Sequence, residues 1–366
     1  MDNEVRDAIV LLQTAPADAL ELASAAEIVK AWADARQLQA LRTLAEEQPA
    51  FLDDTGRLID PATAEAATAL TWSTRATRER VDLAHDLCDG LPDVLAALRA
   101  GVIDLGKARE ISHGTCELEP AVRKSLAKDA IEYAGGHTRG QLRAWLARRI
   151  ARIDPEAADR KHRRQVKKRC VRLLPEADGM ATISAYLSAE EAQAVWASLR
   201  VAAAGVEGGM DAANADAFIA LLTGTRIGTP VPVTVLLTGT GDEIAGYGPI
   251  SQAHAATLCD SQPVIHLAAP RPSVGYRPAP AMARWVRARH RHCRFPGCRR
   301  PAAQCDLDHV TAWPTGSTHA GNLAPLCRYH HRLKTHANWQ VRLLPGGDLR
   351  WTSPRGRTYT THLHDP

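Results

Sequence analysis

The chain has 366 residues, 45% hydrophobic and 23% charged. At about 100–200 residues per domain this is enough for two domains, and the balance excludes a disordered chain. No apolar run approaches about 18 residues, which excludes a transmembrane helix and any membrane partner of that kind. The opening Met1-Asp2-Asn3-Glu4-Val5-Arg6 has no basic stretch followed by an apolar one. A secretory signal is therefore not expected, and the expected compartment is cytoplasmic.

Residues 1–150 read as helices. From Ala17 to Glu47 the apolar positions Leu22, Ala25, Ile28, Val29, Trp32, Leu38, Leu41 and Leu44 recur at helical spacing. Residues 48–60, with Pro49, Asp53-Asp54 and Gly56, read as a break. Further helices are expected at 61–89, 91–101, 105–112, 119–134 and 138–153. After Asp154-Pro155 the pattern changes. Val171–Pro175 and Met180–Tyr186 read as two strands joined by a turn at Asp178-Gly179. Ser188-Ala189-Glu190-Glu191 opens a helix with a capping-box start. Val231–Leu237 is a further strand candidate, and Pro270–Pro280, with four prolines and a glycine, reads as a linker. The expected fold class is α+β. A mainly helical body spans residues 1–275, its β-containing part at about 171–275, and a separate module spans 284–357.

The net charge of +4 hides a segregation. Residues 284–357 carry 14 Lys+Arg against 3 acids, a net of +11, while the remainder is at −7. A basic segment on an acidic body points to a polyanion partner, bound with steep salt dependence and little sequence preference. Between Arg143 and Arg172 there are also 12 Lys+Arg against 3 acids. That stretch reads either as a solvated helix face or as an accessory phosphate-contacting surface.

Histidine and cysteine concentrate in the same C-terminal segment. Cys293 and Cys298 have four residues between them, including Pro296-Gly297, and Cys327 and His330 lie three apart on one helical face. Two such pairs, 28 residues apart, fit a closed tetrahedral zinc site of three Cys and one His. Cys305 is expected in the core, with competition as a ligand the alternative. Adjacent helical residues point about 100° apart, so His331 can serve a second centre. Asp308-His309 offers a hard oxygen ligand beside an imidazole base. Carboxylate and imidazole ligands for a divalent cation, with a histidine to deprotonate water, are the minimal equipment for phosphodiester hydrolysis.

The run Cys-x4-Cys, Asp-His, Asn, Cys-x2-His-His-x2-Lys over residues 293–334 resembles an HNH endonuclease domain of the zinc-stapled ββα-metal type. Trp339-Gln340-Val341 and the hairpin Leu344–Pro354 resemble the tail of the actinobacterial 13E12-repeat family, in which a long N-terminal region of unknown function precedes the HNH module. The resemblance implies a catalytic set of His309, Asp308, Asn322 and His331. His309 takes the place of the general base; Asp308 and His331 take those of ligands to a catalytic Mg²⁺ or Mn²⁺. Asn322 matches the middle Asn, which fixes the loop by hydrogen bonds or reaches the metal. Cys293, Cys298, Cys327 and His330 would hold structural Zn²⁺, and a helix is expected over 324–336 with Pro325 in its first turn. Arg294, Arg299, Arg300, Arg328, Arg332 and Lys334 are expected on phosphate. Trp313 and Trp339 would stack on bases or fill the core.

Three departures from the family pattern stand out. His330 stands where many relatives have Cys, Cys305 is an additional thiol near the site, and the loop Pro314–His319 has a single glycine. The implied partner is DNA, RNA being an alternative substrate. The competing class is a zinc-stabilised nucleic-acid-binding or regulatory protein that does not cut.

Overall fold

The computed structural model describes residues 3–13, 18–176, 178–205, 209–227, 235–236, 242–244, 248–260 and 270–363. The body opens with α1 (Asn3–Gln13) and the long spine α2 (Ala19–Glu47). On one side of α2, Ala31, Ala35, Leu38 and Leu41 are buried. Small residues there let neighbouring helices approach closely. The break expected at 48–60 is a hairpin, β1 (Phe51–Leu52) and β2 (Leu58–Ile59). Its turn is closed by Asp53, whose Oδ1 accepts from Thr55 N, with Gly56 at φ 71°.

The helix expected over 61–89 is two helices, α3 (Pro61–Ala69) and α4 (Thr74–His85), followed by a π-turn at Asp86–Gly90. The interruption comes from Ser73, whose hydroxyl caps α4 by accepting from Ala76 N. Then follow α5 (Pro92–Arg99), α6 (Leu105–Thr115), α7 (Pro120–Gly135), α8 (Arg139–Ile153) and α9 (Pro155–Val166). Asp104 caps α6, and Thr138 and Gln141 form a capping box on α8. Leu87, Leu98, Ile103, Ile111 and Leu142 join the α2 face in one core.

The hairpin expected in the middle is β3 (Cys170–Pro175) with β4 (Ala181–Tyr186), antiparallel, Leu173 opposite Ile183. It is followed by α10 (Ala189–Ala202), with the capping box of Ser188 and Glu191, and α11 (Met210–Thr223). Of the run 231–237, Val235–Leu236 forms β5; the rest lies outside the described residues. β5 pairs with β6 (Asp242–Ile244), and β6 with β7 (Gly248–Ile250), before α12 (Gln252–Cys259).

In the C-terminal module, α13 (Pro280–His290) packs Met282 and Val286 on Leu323. β8 (Asp306–His309) and β9 (Leu323–Leu326) pair antiparallel, and α14 (Arg328–His336) follows, a ββα unit. The helix expected from residue 324 therefore begins at Arg328. Pro325 lies in β9 opposite Leu307, where a two-stranded sheet leaves one edge free of ladder bonds. A three-stranded sheet, β10 (Gln340–Leu343), β11 (Leu349–Thr352) and β12 (Thr358–Thr361), backs the unit and runs past residue 357. The chain is thus α+β. Its two parts share a core, because Ile59 and Ala64 of the body are buried among Cys293, Phe295, Trp339 and Trp351 of the module.

Candidate metal centre and adjoining histidine site

Cys293, Cys298, Cys327 and His330 bring their ligand atoms within 4.8 Å of one another. His330 Nδ1 lies 3.5 Å from Cys293 Sγ and 3.3 Å from Cys327 Sγ. A tetrahedral zinc with Zn–S of about 2.3 Å and Zn–N of about 2.0–2.1 Å places S and N about 3.5 Å apart. The imidazole is held flat against Phe295, ring centroids 4.0 Å apart, and Cys327 N donates to Cys293 Sγ at 3.2 Å. Burial holds the Cys293 thiol well above its ordinary value. For Cys298 the contact with Cys293 favours ionisation, but Cys327 and burial outweigh it and push the thiol up to about 12. Hydrogen bonds from Cys293 and Cys298 hold Cys327 far below its ordinary value. One thiolate is thus stabilised and two are opposed, and a central cation is what allows all three to ionise together. The group is able to hold a metal ion and is compatible with structural zinc. Cys305 is buried with its Sγ on the carbonyl of Pro301 and is not among the four.

The second site lies on the ββα unit. Asp308 and His331 face each other, Oδ1 to Nε2 at 3.5 Å. Adjacent ligands at about 2.0–2.1 Å from one octahedral cation stand about 2.9 Å apart, so the two side chains would draw together by about half an ångström to share it. The Asp308 hydrogen bond, with help from Asp306, raises His331 above its ordinary value. The pair therefore stabilises positive charge between its members. Burial opposes ionisation of Asp308, yet His331 and the Lys334 ammonium outweigh it and keep the carboxyl below its ordinary value. Lys334 Nζ sits 2.6 Å from Asp308 Oδ2 and also donates to the carbonyl of His309.

His309 ends β8 and is 3% exposed. Burial lowers its pKa, the neighbouring Asp308 carboxylate opposing and Lys334 adding to the effect, and the net shift favours the neutral imidazole. Its Nε2 lies 2.8 Å from Thr318 Oγ1, and the Tyr276 ring stacks on it with centroids 5.2 Å apart. Asn322 spends its side chain on the loop. Oδ1 accepts from Thr311 N at 2.8 Å, and Nδ2 donates to the carbonyls of Thr311 and Ser317 at 3.0 Å each. Of the two roles open for Asn322, loop fixing is the one its bonds serve. The lone loop glycine is required as well, since a Cβ on Gly316 would stand 2.6 Å from Asn322 Nδ2.

The expected phosphate contacts divide. Arg299, Arg300 and Arg328 are exposed, although Arg328 Nη1 also pairs with Asp306 at 2.9 Å. Arg294 is a correction: 4% exposed, it bonds His290 Nδ1 and the carbonyls of Gly347 and Thr361, tying the β-sheet to the zinc loop. Arg332 is the other. It turns from solvent into the body, onto the Asp53 carboxylate and the Arg57 carbonyl. Trp339 is buried against Phe295, whereas Trp313 is 39% exposed with its ring 6.3 Å from His309.

Two residues of the site were not singled out by the sequence reading. Asp306 Oδ2 holds His331 Nδ1 at 3.0 Å, aiming Nε2 at Asp308. Its position two before Asp308, on the same strand face, was an available signal. Thr318 had none. In the basic stretch 143–172, Arg143 pairs with Glu110, Arg160 with Asp154, Arg164 with Glu117 and Arg169 with Glu191. Much of that charge ties elements of the body together.

An α+β chain carrying a Cys₃His group on a ββα unit is the class that fold and site define. The family described as "Domain of unknown function (DUF222)" matches residues 25–290, well over half of the chain. The chain belongs to the DUF222 family. The matched residues end at α13, before the first cysteine ligand. Among curated proteins it is similar to the uncharacterized proteins Rv2100 and Rv3776 of Mycobacterium tuberculosis (strain ATCC 25618 / H37Rv). These are 52% and 51% identical over 88 residues, 24% of this chain and 16% and 17% of theirs. Uncharacterized protein MT2160 of strain CDC 1551 / Oshkosh is 52% identical over the same length. The chain thus spans about a sixth of the length of these relatives. No solved structure matches. No helix among the described residues is long and apolar enough to cross a membrane.

Proposed function

We propose that the chain is a metal-dependent HNH endonuclease that hydrolyses phosphodiester bonds in DNA. The observation that carries this reading is the facing of Asp308 Oδ1 and His331 Nε2 at 3.5 Å, one residue along from a neutral, anchored His309. Cys293, Cys298, Cys327 and His330 would hold structural zinc and fix the start of α14. Asp308 and His331 would hold Mg²⁺ or Mn²⁺, which when bound supplies Lewis-acid stabilisation of phosphate oxygens and of the leaving alkoxide. His309 takes the proton of the attacking water as general base. Asp306 keeps His331 in the ligating orientation, and Asn322 holds the loop behind His309. Arg299, Arg300 and Arg328 offer sequence-independent phosphate contacts.

One observation favours a second reading, a zinc-stabilised nucleic-acid-binding or regulatory protein without cleavage. Lys334 covers one oxygen of Asp308, and His309 is nearly closed to solvent. Nicking of supercoiled plasmid by the full chain with Mg²⁺ or Mn²⁺ separates the two, with RNA as a parallel substrate. Loss of nicking in His309→Ala, with binding kept, supports the endonuclease. Binding without metal-dependent cleavage in the wild type supports the alternative.

A further inference from the structure

We infer that Thr318, held by the segment that leads from the body into the module, is a positioning residue that sets the tautomer of His309. The inference rests on the endonuclease reading for its catalytic consequence, though not for its geometry. Thr318 is fully buried. Its main chain is tied to the preceding segment by Ser273 N donating to the Thr318 carbonyl at 2.8 Å, and Ser273 Oγ in turn accepts from Ala279 N. Its Oγ1 stands between two groups, His309 Nε2 at 2.8 Å and the Tyr276 carbonyl at 3.3 Å.

A carbonyl oxygen only accepts, so the Thr318 hydroxyl gives its proton to Tyr276 and offers a lone pair to the imidazole. The network then assigns the proton of neutral His309 to Nε2 and leaves the lone pair on Nδ1. A general base works only with its lone pair on the nitrogen that meets water, which is why an orienting partner on the other nitrogen matters. Ser273 and Tyr276 lie within residues 25–290, the stretch matched by the family of unknown function, whereas His309 and Thr318 lie beyond it. The family domain thereby supplies the last member of a relay that begins at the catalytic imidazole.

The test uses the full chain labelled with ¹⁵N-histidine, in wild type, Thr318→Val and Thr318→Ser. Long-range ¹H–¹⁵N spectra identify which ring nitrogen of His309 is protonated. Cleavage rate, DNA affinity and zinc content are read alongside. The expected result is an Nε2–H imidazole in wild type and in Thr318→Ser, and loss of that fixed tautomer in Thr318→Val. Cleavage should fall about 10- to 100-fold in Thr318→Val, the usual cost of removing an orienting partner, and return in Thr318→Ser with zinc and affinity unchanged. An Nδ1–H imidazole in the wild type overturns the inference, a result that needs no variant to fold. So does a Thr318→Val protein with wild-type tautomer and rate. A wild type that cuts nothing with any divalent metal overturns the endonuclease reading instead, while the tautomer still decides this one.

Discussion

His330 and His331 are adjacent in the sequence and belong to different centres. Nδ1 of His330 closes on Cys293 and Cys327, while the His331 ring runs between Asp306 and Asp308. His330→Ala should therefore lose metal and unfold the module together, because ligand loss at a closed structural site is loss of folding energy. His331→Ala should keep metal content and melting temperature and weaken only the response to added Mg²⁺ or Mn²⁺. Elemental analysis with a melting curve on both variants checks this; equal zinc loss in the two would contradict it. Gly316→Ala is a second expectation at this scale. The added methyl meets Asn322 and the Thr311 carbonyl, so the loop behind His309 must shift and stability should fall by about 1–3 kcal/mol. A melting temperature equal to wild type would show that the loop yields freely. The ligand set was legible in the sequence because Cys293/Cys298 and Cys327/His330 encode their geometry in spacing. Thr318 was not, since its role depends on a carbonyl 42 residues away in sequence.

Among elements, helices were read best where a polar cap marks the start, as at Ser188, Asp104 and Thr138. The reading failed at Leu323–Leu326, whose four buried residues suit a strand or a buried helical turn equally until the pairing with β8 is known. The junction of α6 and α8 makes a pH prediction. Arg143 and Arg139 hold the Glu110 carboxyl at about 2, against an ordinary 4.5. A depressed carboxylate pKa adds stability that is present above about pH 4.5 and is lost as pH falls toward 2. Both arginines are at least half exposed, so screening limits the effect to about 1 kcal/mol at neutral pH. Glu110→Gln should melt below wild type at pH 7, and the gap should narrow below about pH 4.5 and close as pH falls to about 2. A gap as wide near pH 2 as at pH 7 would mean that the charge pair is not its source.

On the scale of the whole molecule, the sequence suggested a body and a separable module, and composition supported the split. The interface did not show in composition because it is built from ordinary residues. Ile59 and Ala64 complete the module's core, the Tyr329 hydroxyl donates to the Asp60 carbonyl, and Ser353 Oγ donates to Glu65. Arg332, expected on phosphate, is spent here on Asp53. Ile59 is 1% exposed, and Ile59→Ala should cost about 2–5 kcal/mol and lower zinc retention as well as the melting temperature. If the body alone is destabilised and zinc is held as tightly as in wild type, the shared core is not a functional unit.

The role proposed for His309 is that of base beside a cation held by Asp308 and His331. Its most direct test is the cleavage rate of supercoiled DNA against added Mg²⁺ or Mn²⁺, for wild type and His309→Ala, with zinc content and DNA affinity measured on the same samples. The expected result is metal-dependent cutting by the wild type and a loss of about 10²–10⁴-fold in His309→Ala at unchanged zinc and affinity. A His309→Ala protein that cuts at the wild-type rate, contaminating nuclease excluded, would contradict it.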